Sequence, residues 1–211
     1  IILTATPEKM RAIQKKYYYP NNTILVVAGA VERELVKKMV MSQFGDWEPS
    51  DFDIFEKYPI PDFEPLTESK TVVTVNENAQ VPIMMIQQFG PKSMDDIEAT
   101  YAADVFHTIL SLPSSRFQKN LVESGLAYQA GSSYQTLKHV GPITTFFVPN
   151  PAQMTEAISA LEAEVALWDT DDYFTDAQIA AAKNQLKIQD VYSRESTSDF
   201  VHSITFWWSS A

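Results

Sequence analysis

The chain has 211 residues, 45% of them apolar, which is enough to bury a core of ordinary domain size and excludes a disordered chain. Its formal net charge of −11 repels nucleic acid and anionic membrane surfaces, and no basic cluster offsets it. With no cysteine, neither a disulfide framework nor a thiolate metal site can form.

No apolar run approaches the roughly eighteen residues that a membrane span needs, so none is expected. Ile1-Ile2-Leu3-Thr4 has neither a starting Met nor a basic leader region. Phe206-Trp207-Trp208 sits near the other end, where large aromatics need a packing surface. The chain therefore reads as a piece of a longer one.

Thr6-Pro7-Glu8 is a helix start, with an oxygen acceptor at the cap and proline in the first turn, and Met10, Ile13 and Tyr17 share one face. Pro20 ends that helix. The run Ile24-Leu25-Val26-Val27-Ala28 then predicts a strand buried on both faces, followed by a helix over 32–44. Residues 48–68 change character: Pro49, Pro59, Pro61 and Pro65 alternate with acids and aromatics, excluding a long helix or central strand. This segment predicts an extended linker that packs its aromatics.

Two strands are expected next, over 71–75 and 83–89, then a helix over 95–110 with Ile97, Tyr101, Val105 and Ile109 apolar. A shorter helix over 115–123 precedes two strands, 127–137 and 142–148, joined by a turn at His139 and Gly141 and paired antiparallel. Met154, Ile158, Leu161, Val165 and Trp168 recur at steps of four and three, marking a helix over 151–168. Thr175-Asp176-Ala177-Gln178 is a capping box for a last helix that runs to the Arg194 region. Strand pairs alternating with helix pairs predict an α+β two-layer sandwich, with helices packed on one face of a mostly antiparallel sheet.

Catalytic chemistry is missing. His107, His139 and His202 are far apart, and none has a His or Glu three or four residues away to share a metal on one helical face. Ser114-Ser115 and Ser209-Ser210 lack the glycines of a nucleophile elbow, and one of the first pair is expected to cap the next helix. Asp95-Asp96 and the acids Asp169, Asp171 and Asp172 lie at helix starts and turns, where carboxylates complement the helix dipole or face water. No catalytic residue, metal ligand or cofactor is therefore assigned to this chain.

Four segments in order carry a resemblance. They are Tyr18-Tyr19-Pro20-Asn21-Asn22 running into Leu25-Val26-Val27-Ala28-Gly29; Phe44-Gly45-Asp46-Trp47; Ser114-Ser115-Arg116-Phe117-Gln118 with Leu121; and Gly125-Leu126-Ala127-Tyr128. Together they resemble the second-domain region of the pitrilysin/insulinase family of zinc metallopeptidases. The resemblance implies a metal-free domain that helps enclose a peptide substrate. Zinc and an H-x-x-E-H helix would lie on another domain, in the same chain or in a partner subunit. It further implies a division into 1–48, the last helix, strand and helix of the preceding domain; 49–69, the linker; and 70–211, the non-catalytic domain. Tyr128 is the implied substrate-binding residue, and export to a bacterial periplasm is the implied compartment. The family pattern places an Arg where this chain has Val122, and glycines where it has Ser111-Leu112-Pro113. The missing Arg leaves open a structural or assembly subunit of the same fold. Arg116 is expected to pair with a carboxylate across the domain.

Overall fold

The computed structural model describes residues 2–92 and 95–210. The chain divides into two compact units, one made of Ile1–Asp62 and Ser193–Ser209, the other of Phe63–Tyr192 with Ser210–Ala211.

In the first unit, helix α1 (Pro7–Tyr17) starts as its sequence dictates: the Thr6 side chain accepts from the Lys9 amide at 3.3 Å and Pro7 occupies the first turn. Helix α2 (Arg33–Phe44) stops at Gly45. Within the proline-rich segment a single turn, α3 (Ile54–Lys57), forms because the Asp53 carboxylate accepts from the Phe55 and Glu56 amides, both at 2.8 Å. The aromatics of this segment do pack. Phe52 meets Tyr19 and Tyr58 edge-on, Tyr58 meets Tyr17, and Lys57 Nζ lies 3.6 Å from the Phe52 ring centre.

The run at 24–28 differs from expectation. It pairs with no strand among the described residues, and Leu25 and Val27 are 57% and 48% exposed. β-Branched residues favour extended backbone, but a ladder needs a partner edge, and the described residues of this unit form only helices and loops.

The second unit contains the sheet. Strands β1 (Met84–Gly90), β2 (Ala127–Tyr134) and β3 (Gly141–Pro149) pair antiparallel throughout, in the order β1-β3-β2. The other expected strand, 71–75, pairs with no strand among the described residues, and Val72, Val73 and Val75 are between 75% and 86% exposed. Helix α4 (Ile97–Ser111) is capped by Asp96, which accepts from the Ala99 amide at 2.9 Å. Ser115 caps α5 (Arg116–Gln118), and the next residues, Lys119–Glu123, widen into a π-helical turn rather than continuing the predicted α-helix. Helix α6 (Met154–Val165) is shorter than its periodicity suggests, because the chain turns from residue 166 onward. Thr175 and Gln178 form the predicted reciprocal box: the Gln178 amide donates to Thr175 Oγ1 and the Thr175 amide donates to Gln178 Oε1. Helix α7 (Asp176–Ser193) follows, and a separate helix, α8 (Thr197–Ser210), begins in the first unit.

Phe147 from β3 and Ala127 and Ala130 from β2 meet Leu110 of α4, Phe117, Leu121, and Ala157 and Leu161 of α6 in one buried cluster. All helices in this cluster lie on the sheet face of Phe147, the two-layer α+β arrangement expected. At the β2–β3 turn, Gly141 is required by space: a Cβ there would overlap the Pro91 carbonyl oxygen and press on the Tyr134 ring. Because the obstacle is backbone, Gly141→Ala is expected to lower stability by about 2 kcal/mol, read as a lower urea midpoint at unchanged slope.

Candidate functional site

Tyr128 lies at the start of β2, where Gly125 at φ 79° turns the chain out of the π-helical segment. The β2–β3 register slips between Ala127, opposite Pro149, and Gln129, opposite Val148, so Tyr128 is the extra residue of a β-bulge. A bulge re-aims a side chain and ends regular pairing. Tyr128 is 56% exposed and its hydroxyl makes no hydrogen bond among the described residues, which leaves the phenol available as donor or acceptor.

The sheet face opposite the helices is open beside it. Register places Met85, Phe146 and Gly131 in one row across the three strands, and Gln87, Thr144 and Ser133 in the next. Met85, Phe89 and Phe146 are 62%, 44% and 40% exposed, and no charged residue lies on β1, β2 or β3. This face can hold an apolar or extended polar segment, and its polar groups are the Gln87 amide and the Ser133 and Thr144 hydroxyls. Val122, at the position where the related pattern has Arg, packs against the buried cluster.

The histidines remain apart from any metal geometry. His107 is buried on α4, its ring lying edge-on to Phe106 and stacked on Tyr134. Burial pulls its pKa down to about 4. His139 is exposed in the β2–β3 turn, and His202 sits exposed on α8 with Nδ1 2.8 Å from the Ser198 carbonyl oxygen. Among the described residues no three His, Cys, Asp or Glu side chains are grouped to hold a metal.

One charged cluster is only half legible in the sequence. Arg116 pairs as expected, and its partner is Glu164, only 4% exposed. Glu164 Oε1 accepts from Arg116 Nε at 3.2 Å and Asn120 Nδ2 at 2.6 Å, while Oε2 accepts from the Tyr173 hydroxyl at 2.6 Å. Burial, reinforced by that carboxylate, pushes the Tyr173 phenol well above its ordinary range, so it stays protonated and donates. The signal for Glu164 is its place in the apolar stripe of α6, three residues after Leu161 and beside Val165. A carboxylate at a core-facing position needs partners.

Comparison with known proteins identifies the family. A family described as "Peptidase M16 inactive domain" matches residues 4–186. Among solved structures, a protease from Helicobacter pylori aligns over 99% of this chain and 50% of its own, with 21% identity and a TM-score of 0.78. A peptidase M16 inactive domain from Pseudomonas fluorescens aligns over 87% of this chain and 43% of its own, with 19% identity and a TM-score of 0.65. The periplasmic protease PqqL from Escherichia coli aligns over 92% of this chain and 21% of its own, with 13% identity and a TM-score of 0.51. These likenesses are likenesses of fold, and the chain spans about half the length of the Helicobacter pylori protease. No curated protein matches the chain. The family match spans most of the sequence and agrees with the α+β fold: the chain belongs to the peptidase M16 inactive-domain family.

Proposed function

We propose that this chain is a non-catalytic wall of a zinc endopeptidase, enclosing peptide while zinc and the catalytic glutamate lie on another domain, in cis or in a partner subunit. Membership in an inactive-domain family of peptidases carries the reading. The open, uncharged sheet face with Tyr128 on its bulge supports it, because such a surface can contact a peptide without reacting with it. In this proposal residues 1–48 end the preceding domain, 49–69 link, and 70–211 form the metal-free domain.

The expected division of labour is sharp. The isolated 211-residue chain should cleave no peptide when zinc is added, whereas the longer protein should do so. Zinc-dependent turnover by the chain alone would end the proposal. In the longer protein, Tyr128→Phe is expected to lower kcat/KM about tenfold, the size of one lost hydrogen bond to a substrate backbone, with folding unchanged. An unaltered kcat/KM would remove Tyr128 from the substrate surface. Val122 favours a second reading, a structural or assembly subunit, since its apolar side chain packs on the core where the related pattern has a charged one. Complete absence of peptidase activity in the longer protein and its partner would select that reading.

A further inference from the structure

We propose that the cleft between α4 and the adjoining ends of β1 and β3 binds a small aromatic cation, its ring inside and its ammonium at the mouth. The cleft has a volume of about 430 Å³, enough for one substituted ring. Phe106, Ile143 and Trp168 line it, β1 borders it at Gln88 and Phe89, and Ala102 and Ala103 supply the room, because α4 carries small side chains along this face. Two of these walls, Phe106 and Trp168, are aromatic, and aromatic faces attract both rings and cations.

The polar side chains of the lining are Gln88, His107 and Asp169, and the last two define the ligand's ends. His107 lines the cleft, is 6% exposed, and has its Nδ1 sealed without a hydrogen-bond partner among the described residues. A buried N–H left unpaired is rarer than a buried unpaired acceptor, which places the proton of the neutral ring on Nε2. Nε2–H is then a donor at the cleft, suited to a phenolic or carbonyl oxygen. Burial keeps this ring uncharged at neutral pH, so it does not repel a cation. Asp169 lines the same cleft from its exposed position after α6, and no Lys or Arg does. Its carboxylate, within a chain of net charge −11, selects an ammonium and rejects an anion. None of this depends on the sheet's opposite face, so the site can be real whether or not that face meets peptide.

The probe is tyramine, which combines a phenol ring with an ammonium; 4-hydroxyphenylacetate carries the same ring with the opposite charge. Added to the 211-residue chain at about pH 7, tyramine should shift the His107 ring protons saturably, with a Kd on the order of 1 mM. The acetate should bind at least about tenfold more weakly, and Asp169→Asn should weaken tyramine by about fivefold. Ala103→Leu, which fills the cleft, should abolish the shifts. Absence of a saturable shift up to about 20 mM, equal binding of the two probes, or retained binding in a folded Ala103→Leu protein would overturn the assignment. Should Ala103→Leu not fold, the comparison of the two probes on the unaltered chain decides alone.

Discussion

Replacing Arg116 with methionine is expected to cost about 2–3 kcal/mol, more than replacing the buried acid it pairs with. The asymmetry follows from exposure. Glu164 is 5% exposed at its side chain and Arg116 47%, so removing Arg116 strands a carboxylate that water cannot reach. Asn120 and Tyr173 still donate to it, but both are neutral. Glu164→Leu instead frees a guanidinium that water can solvate and leaves mainly the buried Tyr173 hydroxyl unpaired, at about 1–2 kcal/mol. The double variant Arg116→Met, Glu164→Leu should be no less stable than Glu164→Leu by more than about 0.5 kcal/mol, because the stranded charge is gone. Urea unfolding followed at the β3 amides reads all three proteins. Additive losses in the double variant would mean that the two side chains act separately.

The second large effect is a loss of stability on mild acidification, traced to His107. Its folded pKa is about 4 against an ordinary 6.5, so the folded state binds this proton less readily than the unfolded chain does. The stability it contributes is therefore fully present above pH 6.5, declines as the pH falls, and is gone below the folded value of about 4. A shift of that size corresponds to at most about 3 kcal/mol. Asp104, on the same helix, acts in the opposite direction: burial raises its carboxyl pKa, so its protonation on acidification favours the folded state and offsets part of the loss. The difference between proteins isolates the histidine. In His107→Leu, the fall in unfolding free energy between about pH 7 and pH 4 should shrink by up to about 3 kcal/mol. An equal fall in both proteins would show that the ring is charged, or hydrated, in the folded state.

The two expected strands that do not form and the half-legible ion pair have a common cause. At 24–28 and 71–75 the local signal is as strong as at β1, where the strand does form. β1 has β3 beside it in register, with Met84 opposite Phe147, whereas the other two runs have no neighbouring strand among the described residues. Extended propensity is local, while pairing is a property of two segments. Helix caps behave in the opposite way. Thr6, Asp96, Ser115 and the Thr175–Gln178 box act on amides within three residues, and so all four are legible in the local sequence.

The sequence by itself determined the α+β class, the capped helices, the absence of histidine spacing for a metal, and, through its four-segment resemblance, the family. These rest on contacts a few residues long or on side chains that are simply missing. Only the tertiary structure decided that Tyr128 stands on a bulge, that Arg116 finds Glu164 across 48 residues, and that His107 is sealed neutral beside a cleft. Register, burial and long-range pairing depend on which elements meet, and that is set when the helices close over one face of the sheet.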